Sequence, residues 1–519
     1  MIYVIALTVI AGALGLYYYF LQNLNYFKKH GIPYKTPFPI FGNMAASIFR
    51  RQSIVDLVQN TYNLHPEAKY VGMFDITGPL IVLRDRDLIK SIALKNFDLF
   101  PDHRTLVEEH QDPLFGKNLF ALKGERWRQV RPIMSPAFTS SKMKGMFKLM
   151  SDYAAEFSNY LTQMPAEKRI MDIKDVFTRY TNDVIATCAF GISVDSMRNP
   201  KNEFYVYGRE ATNFDSVAFV KMYVYSTLPW LAQILRLRIV REQIANFFRD
   251  LVETTIKTRD ENGIVRPDIL QLMMENRGKD GKAELTIDDM VAQAFVFFFG
   301  GFDSTSTLMC FAAHELAVNQ EIHKKLQNEV DQVLEASNGQ APYEMVNNME
   351  YLDAVISEAL RRYPVAAAVD RVCVKEFELP PTLPGMKPVI IKKGGAIWIP
   401  IYGLHHDPQY FEEPEKFDPE RFLGERKKES LNSGAYLPFG LGPRMCIGNR
   451  FALMETKVLL FHLLARCDLK TCEKTPLPLK IAKDGINMKP EGGFWLNVSP
   501  RKNIHHTIAT NAVNGTRQL

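Results

Sequence analysis

One short stretch of the sequence, FGLGPRMCIG at residues 439–448, surrounds a single cysteine, Cys446, with three glycines, a proline and an arginine. Glycine and proline at this density bend the chain repeatedly, so its backbone can approach a flat or tightly apposed group. A cysteine thiolate can act as a nucleophile or as a metal ligand. No matched His–Asp arrangement favours a hydrolase, and the six cysteines form no C-x-x-C pair that would indicate a zinc site or a disulfide framework. The other five are predicted to be small buried hydrophobes in a reducing compartment.

A second group of reactive residues lies inside a long apolar segment, residues 291–319. Thr286 and Asp289 have the spacing of a capping box, which predicts that a helix begins there. Its centre is apolar on all faces, as expected of a helix that runs through the middle of the protein. A membrane span is the alternative, and Asp303 with its polar neighbours argues against it.

Two adjacent glycines, Gly300 and Gly301, stand in the middle of this helix, followed by Asp303 and Ser304. Each glycine costs about 1 kcal/mol relative to alanine in a helix interior. They remove side-chain bulk, so either a flat ligand lies against the exposed backbone or another helix crosses closely. The residues alone favour neither alternative.

Three further motifs combine charged and aromatic residues. SEALRRYP places Glu358 and Arg361 three residues apart on one helix face, FDPERF offers Arg421 in a proline-bounded turn, and GERWRQVRP places Trp127 and Arg131 four residues apart. Each motif alone is compatible with an ordinary surface ion pair or helix.

The elements that must position these residues are mostly helical. Strand-like patches occupy about residues 50–100, helical periodicity dominates residues 124–365, and short strands return after 366 with one helix beginning near Asn449. We therefore predict a mainly α fold with small β-sheets, as a single domain over residues 44–500. The net charge of +5 and the absence of basic blocks interleaved with aromatics exclude a nucleic-acid-binding function.

The two ends of the chain differ from this body. Residues 1–22 carry no charged side chain and are long enough to cross a bilayer as a helix, so they are predicted to be a membrane anchor. A cleaved signal peptide is the alternative, but a basic leading region and a small-x-small cleavage site are missing. Lys28 and Lys29 then place the bulk of the protein on the cytosolic side. Residues 23–43 are predicted to be a proline-rich hinge, and residues 501–519 a flexible tail.

In this order and spacing the motifs resemble the cytochrome P450 family of haem-thiolate monooxygenases. The cysteine loop fits F-x-x-G-x-R-x-C-x-G at every fixed position, and the E-x-x-R and W-x-x-x-R motifs precede it in the family's order. The resemblance covers essentially the whole chain. It implies the cytochrome P450 fold, with haem b held between the long central helix and the cysteine loop.

The resemblance also implies roles for individual residues. Cys446 would be the thiolate ligand of the haem iron, Phe439 would pack over the ligand loop, and arginines with a tryptophan would bind the haem propionates. The residues implied in haem binding are Trp127, Arg131, Arg371, Phe439, Arg444 and Cys446.

Two further groups take their roles from the same resemblance. Glu358, Arg361 and Arg421 would form a buried ion network that holds the ligand loop in place. Asp303, Ser304 and Thr305 align with an acid–alcohol pair that relays protons to dioxygen through water. Serine replaces the usual threonine at position 304, so either Ser304 or Thr305 could order the water chain.

The implied substrate pocket is apolar and aromatic, which predicts a lipophilic small molecule. Some of its aromatic residues are expected to be plain core. The residues of FFFGGFDSTST and of the cysteine loop are similar to those of an insect microsomal branch, the ninth insect family. Members of this branch oxidise xenobiotics such as plant toxins and insecticides. The predicted pocket residues are Phe115, Phe120, Phe298, Phe302, Val365, Ala367 and Phe494.

The resemblance finally implies partners and a location. Electrons from NADPH would arrive through the flavoprotein reductase, NADPH–cytochrome P450 reductase, or through a cytochrome b5, docking near Lys123, Arg126 and Arg128. The apolar stretch 217–237 could rest on membrane lipid, and the protein would lie on the endoplasmic reticulum.

Two other functions compete with the monooxygenase. A haem-thiolate isomerase or dehydratase rearranges peroxides without dioxygen and tends to lose the acid–alcohol pair, which this chain keeps. A haem-binding carrier needs neither that pair nor a basic docking face. Dependence on NADPH and reductase separates the monooxygenase from both.

Overall fold

A computed structural model describes the chain from Leu24 to Lys502, together with scattered positions among the first fifteen residues. Within 24–502 the description leaves out residues 40, 76–77, 105–106, 108, 110, 214–219, 222–223, 226–227, 278–284 and 486–487. Most of the anchor predicted at 1–22 and residues 503–519 of the tail lie outside the described residues.

The described part is mainly helical, as predicted. Its α-helices, in chain order, are α1 (Tyr26–His30), α2 (Ala45–Ile48), α3 (Ile54–Tyr62), α4 (Arg86–Lys90), α5 (Pro113–Gly116), α6 (Gly124–Met134), α7 (Ser140–Thr162), α8 (Ile173–Ile185), α9 (Glu203–Thr212), α10 (Pro229–Ile234), α11 (Glu242–Asn262), α12 (Ile269–Met274), α13 (Ile287–Val318), α14 (Gln320–Ala336), α15 (Tyr343–Asn347), α16 (Glu350–Arg362), α17 (Ile401–His405), α18 (Gly424–Asn432) and α19 (Asn449–Arg466). Two π-helical turns, Ser91–Lys95 and Ala186–Phe190, continue α4 and α8.

The strands form three small sheets. Their bounds are β1 (Tyr70–Phe74), β2 (Pro79–Leu83), β3 (Ile170–Asp172), β4 (Val369–Val372), β5 (Phe377–Leu379), β6 (Val389–Ile391), β7 (Ala396–Ile399), β8 (Cys467–Lys470) and β9 (Trp495–Pro500). The largest sheet has the order β1-β2-β7-β4, in which β2 and β7 are parallel; the others are β3-β9-β8 and β5-β6. The prediction of a helical body with small sheets near its ends is therefore confirmed.

Helix α13 runs through the core. It begins at the predicted capping box, in which the Thr286 hydroxyl accepts from the Asp289 N–H at 3.1 Å and the Asp289 carboxylate accepts from the Thr286 N–H at 3.0 Å. Among the described residues this is the one helix long and apolar enough to cross a membrane. The protein buries it, since Phe298, Leu308 and Phe311 are each at most 2% exposed. The core placement predicted for α13 is thus what the fold shows.

Part of the predicted hinge at residues 23–43 packs against the body of the protein. Its helix α1 buries Phe27 completely, and the Phe27 ring fills the space beside Gly72 of β1 where a side chain would otherwise stand. Ile32 is also buried, and Tyr34 forms a bridge to Gly72. The segment around α1 therefore packs on the body through burial of its apolar side chains, and the hinge role of residues 23–43 stays a prediction.

Candidate functional site

The cysteine loop is held by its own backbone before α19 begins. The Cys446 N–H donates to the Phe439 carbonyl at 2.9 Å, the Met445 N–H to Gly442 at 2.9 Å, and the Gly440 N–H to Leu437 at 3.0 Å. Gly448 then caps α19, which starts at Asn449. The glycines predicted to bend the chain thus fold it into a tight loop directly before a helix.

Gly440 and Gly442 both have a φ of +79°, a conformation that side chains disfavour, but their surroundings differ. A Cβ added to Gly442 would stand 2.1 Å from the carbonyl oxygen of Ala93 in the π-helical turn, whereas one added to Gly440 would meet only the Met445 Cα at 3.9 Å. Gly442 is therefore the point at which the loop touches its neighbour backbone to backbone.

This difference gives a matched pair of variants. We expect Gly440→Ala to cost about 1–2 kcal/mol of unfolding free energy from the positive φ alone. Gly442→Ala should cost about 1–3 kcal/mol more, because the new methyl group must displace the Ala93 carbonyl. Thermal denaturation of both variants measures the difference, and equal losses would show that the close contact at Gly442 does not constrain the loop.

Cys446 lies in surroundings that are both open and desolvated. Its side chain is exposed, whereas Cys188, Cys310, Cys373 and Cys467 are buried, and all six cysteines are free. Burial nevertheless raises the pKa of the Cys446 thiol, while the Gly448 N–H and the Arg131 charge oppose the rise. A thiol that touches free space yet is desolvated lies on the wall of an interior recess.

The two glycines of α13 have different surroundings. A Cβ on Gly300 would meet nothing within 4 Å, so this face of an otherwise buried helix borders open space. A Cβ on Gly301 would stand 3.0 Å from the Ile185 side chain, so Gly301 marks the close crossing of α8. The helix therefore offers bare backbone on one side and tight packing on the other.

Arg371, one of the predicted haem partners, is buried and keeps a hydrogen-bond donor that has no acceptor among the described residues. It is 2% exposed, its Nη1 donates to the Asp370 carbonyl at 2.6 Å, and its Nε has no hydrogen-bond partner among the described residues. Burial lowers the pKa of this guanidinium, and Asp370 opposes the change. Asp370 is itself engaged, because the His103 Nδ1 donates to it at 2.9 Å. A buried donor without an acceptor is costly, so an anionic group fits beside Arg371.

Arg444 and Trp127 are buried side by side, and the partly buried Arg131 lies near them. The Arg444 guanidinium stacks over the Trp127 ring at 4.1 Å, bonds to Asp102 at 2.9 Å and donates to the carbonyls of Pro101 and Leu122. Burial lowers the pKa of Arg444 to about 10. Arg131 donates to the Met445 carbonyl at 3.1 Å, which places it beside the cysteine.

These observations test whether haem fits the chain. Haem is a flat group with two carboxylates, and its iron can bind one thiolate from the protein. The chain offers an exposed thiol in a desolvated recess, a bare backbone face at Gly300, and a buried arginine with an unpartnered donor. The donor set therefore fits haem, although the individual haem contacts of Trp127, Arg131, Arg371, Phe439 and Arg444 stay predictions.

The three predicted relay residues point in different directions. The Asp303 carboxylate pairs with Lys174 of α8 at 2.8 Å. The Ser304 hydroxyl donates to the Gly300 carbonyl of its own helix. Thr305 is 1% exposed, and its hydroxyl has no partner among the described residues. Ser304 is thus the alcohol beside the open face of Gly300, and its relay role stays a prediction.

The predicted ion network is assembled in the interior. Arg361 binds both oxygens of Glu358, at 2.8 and 2.9 Å, and Arg421 lies 3.5 Å from the same carboxylate. Glu358 and Arg361 are fully buried, and Arg361 also donates to the His405 carbonyl at 2.9 Å. The network therefore ties α16 to the segment that follows α17.

His405 links this network to the cysteine loop. Its Nδ1 donates to the Arg361 carbonyl at 3.0 Å, and its Nε2 accepts from the Leu437 N–H at 2.9 Å. Burial holds the pKa of His405 well below its usual value, so the ring stays neutral and keeps this tautomer. His405 was not predicted as part of the site: it ends α17, follows Leu404 and precedes a second histidine, His406, and this local pattern carries no signal for a link to the cysteine loop.

The predicted pocket residues divide into two groups. Phe115 and Val365 are partly exposed, and Phe120 is 60% exposed with its ring stacked on His103 at 4.4 Å. The second group is packed without free space, with at most 7% exposure, and consists of Phe298, Phe302, Ala367 and Phe494.

The buried members of the pocket set pack as core. The Phe298 ring contacts Phe204, Phe248 and Phe302 at centroid distances of 4.9–5.1 Å, and a Cβ on Gly208 would stand 2.2 Å from it. An apolar helix with aromatics on every face cannot reveal from sequence which rings border a cavity. The partly exposed Val296 and Phe299, together with Gly300, form the face of α13 with free surface.

Comparison with known proteins identifies the same family over almost the whole chain. The family model described as cytochrome P450 matches residues 32–497. Cytochrome P450 9e2 of Blattella germanica is 45% identical over 93% of this chain and 95% of its own length. Probable cytochrome P450 9f2 and cytochrome P450 9b2, both of Drosophila melanogaster, are 41% and 38% identical over 96% and 92% of this chain. The protein belongs to the cytochrome P450 family of haem monooxygenases and is similar to members of the ninth insect family.

Proposed function

We propose that the protein is an NADPH-dependent monooxygenase of lipophilic small molecules, anchored in the endoplasmic reticulum membrane, with plant toxins and insecticides as its substrate class. The reaction would convert RH, O2, NADPH and a proton into ROH, water and NADP+. The observation that carries the proposal is the exposed thiol of Cys446 in a desolvated recess, in a loop that fits the family's motif at every fixed position.

The chain's own residues have distinct tasks in this reaction. Haem bound at Cys446 would supply the iron that activates dioxygen. The Gly448 N–H and Arg131 stabilise negative charge on the Cys446 sulfur, and Phe439 would pack over the loop. On the other side, Gly300 leaves room beside α13, while Asp303 and Ser304 provide the acid and the alcohol of a proton relay.

The choice of a lipophilic substrate rests on the free surface near α13. Phe115 packs edge-on against Phe299 at 6.0 Å, and Val296, Phe120 and Val365 add further apolar surface that is not sealed by packing. Such a lining binds apolar molecules through burial of their surface and offers few charged groups for a polar substrate.

A membrane location is supported by exposed apolar side chains at two places. Tyr3, Leu7, Ile10 and Leu14 are exposed at helical spacing. In and beside α10 a second set is exposed, namely Val220, Trp230, Ile234 and Leu235. Exposed aromatic and aliphatic groups of this kind favour contact with lipid.

The docking face proposed for the reductase is less basic than its sequence indicates. Arg126 bonds to Asp289 at 2.8 Å, and Arg128 bonds to Glu125 and Asp98 at 2.9 and 2.8 Å. The exposed Lys123 stands at the start of the same helix, α6. Docking of the reductase, or of a cytochrome b5, would therefore depend on rearranging these surface pairs, which are individually weak.

Reconstitution of the full chain in lipid vesicles tests the proposal. With reductase, NADPH and 18O2, a panel of lipophilic toxins should give products carrying one labelled oxygen atom, and none when the reductase or NADPH is omitted. Peroxide rearrangement without NADPH would favour an isomerase or dehydratase instead. Ligand binding without any turnover by well-folded, haem-loaded protein would favour a carrier.

A further inference from the structure

Gln293 is a fully buried amide in the first half of helix α13, two turns before Gly300. Both ends of its amide bind the backbone of one distant loop: Nε2 donates to the Lys117 carbonyl and Oε1 accepts from the Leu119 N–H, each at 2.8 Å. A buried amide costs free energy unless it is hydrogen-bonded, whereas an apolar side chain of similar length would not. The two bonds to the loop therefore account for an amide at this position of an otherwise apolar helix.

The two hydrogen bonds select one register of the loop on α13. Gln293 needs a carbonyl and an N–H two residues apart, and a slip of the loop by one residue would present the Asn118 carbonyl and the Phe120 N–H instead. Both of these groups are already used within the loop. The Asn118 carbonyl accepts from the Leu122 N–H at 2.9 Å, and the Phe120 N–H donates to the Asn118 side chain at 3.0 Å. A slip in this direction would therefore break bonds without replacing them.

The loop, defined as residues 112–122, is tied together internally by the side chain of Asn118. This side chain is 3% exposed; its Nδ2 donates to the Leu114 carbonyl at 3.1 Å, and its Oδ1 accepts from the N–H groups of Phe120 and Ala121 at 3.0 Å. Since these bonds join both halves of the loop, a restraint at its middle acts on the whole 112–122 loop.

The 112–122 loop carries two of the rings predicted for the substrate pocket. Phe115 packs edge-on against Phe299 with 6.0 Å between ring centroids, and Phe120 is 60% exposed. Gln293 and Gly300 are seven residues apart, so they share one face of α13 and lie about 10 Å apart along its axis. The distance from the two rings to the open face at Gly300 therefore depends on where Gln293 holds the loop.

We infer that Gln293 is a specificity-determining residue: by fixing the 112–122 loop on α13, it limits how far Phe115 and Phe120 can move away from Gly300, and so limits the length of the lipophilic substrate. Gln293 acts through the loop and is a positioning residue, which makes or breaks no bond in the reaction. The inference rests on the proposed function, because it concerns the choice of substrate in that reaction.

The test is Gln293→Met in the full chain with haem, reductase and NADPH. Methionine keeps the length of the side chain and loses both hydrogen bonds, so the loop is free to move outward. The probes are 7-methoxycoumarin and 7-pentoxycoumarin, flat lipophiles that differ only in chain length. We expect the ratio of kcat/KM for the pentoxy probe to that for the methoxy probe to rise at least about threefold, through a lower KM for the pentoxy probe, because two hydrogen bonds no longer restrain the loop.

Two readouts on the resting, haem-loaded protein are independent of turnover. Hydrogen exchange at the Leu119 N–H should become at least about tenfold faster in Gln293→Met, because this group loses its acceptor. Titration of the Soret band with the same two probes should give Kd values whose ratio changes in the same direction as that of kcat/KM.

Gln327→Met is the matched control, because it also removes a buried amide that binds a distant segment. Gln327 is 8% exposed on α14, and its Nε2 donates to the Cys467 carbonyl at 3.4 Å and to the Asp468 carboxylate at 3.1 Å, both in β8. This control should leave the probe ratios and the exchange of the Leu119 N–H unchanged, even where it lowers the thermal midpoint.

The outcomes separate the inference from the function on which it rests. Faster exchange at Leu119 with unchanged probe ratios would overturn the specificity role, and unchanged exchange would overturn the restraint itself. If the wild type oxidises neither probe nor any other lipophile, the proposed function fails, while the Kd ratio and the exchange still decide the role of Gln293. Should Gln293→Met fail to fold, Gln293→Leu, which also lacks both polar groups, is measured by the same criteria.

Discussion

Replacing Cys446 by serine is expected to abolish monooxygenation while the protein stays folded. Serine has nearly the shape of cysteine, but its hydroxyl does not ionise at neutral pH and cannot give the electron donation of a thiolate. The loop itself is held by backbone hydrogen bonds from Cys446 and Met445, which serine leaves intact. The loss should therefore be chemical and not structural.

The carbon monoxide difference spectrum of the reduced protein measures this loss directly. Wild type should show the strongly red-shifted Soret band of a thiolate complex, and Cys446→Ser should lack it, with NADPH-dependent product falling to background. Cys472→Ser is the matched control, because Cys472 is partly exposed and its sulfur accepts a hydrogen bond from the Thr475 hydroxyl at 3.5 Å, outside the site. A red-shifted band that survives in Cys446→Ser would contradict the assignment of the iron ligand.

The features that the sequence predicts well are local ones. The capping box at Thr286 and Asp289 joins residues three apart, and the same backbone geometry recurs wherever that spacing starts a helix. The pairing of Glu358 with Arg361 is equally local, since residues at i and i+3 share a helix face. Periodicity likewise predicted the helical body and its small sheets.

The features that sequence reasoning missed depend on distant parts of the chain. Lys174 stands 129 residues before its partner Asp303, and nothing in either local pattern connects them. His103 stands more than 260 residues before Asp370, to which it donates. These pairs form only after helices and sheets have packed, so the pattern of a single segment cannot predict them.

The aromatic residues of α13 show a further limit of prediction from sequence. Phe298 and Phe299 are neighbours of identical type, yet the first is fully buried and the second keeps free surface. Helix rotation decides the difference, and the close approach of α9 at Gly208 and of α8 at Gly301 determines that rotation. A helix that is apolar on all faces carries no sequence signal for its own orientation.

The second large effect is expected from Glu358→Ala, which removes the carboxylate of the buried ion network and should lower the unfolding free energy. Glu358 and Arg361 are both 0% exposed, and Arg421 is 4% exposed. Removal of the carboxylate leaves two guanidinium groups side by side in the interior with their shared counter-charge gone, and costs about 3–5 kcal/mol. Since a domain has only about 5–15 kcal/mol of stability, this loss is a large fraction of the total.

The consequence should reach the cysteine loop, because the network connects to it through a defined path. Arg361 and His405 bind each other's backbone carbonyls, and His405 accepts from the Leu437 N–H just before the loop. Loss of these hydrogen bonds should lower the haem content per polypeptide together with the thermal midpoint. It should not give an enzyme that binds haem normally and is merely slow.

Glu425→Ala is the control for this prediction. It distinguishes the effect of losing a buried ion pair from the effect of losing an exposed one. Glu425 pairs with Lys428 at the same i,i+3 spacing and 2.7 Å, but both side chains are exposed. That variant should change the unfolding free energy by no more than about 0.5 kcal/mol and retain haem. If Glu358→Ala keeps wild-type haem content and thermal midpoint, the buried network does not hold the ligand loop. Because the pairs share spacing and charge, a large effect in Glu358→Ala alone must come from the burial of its cations.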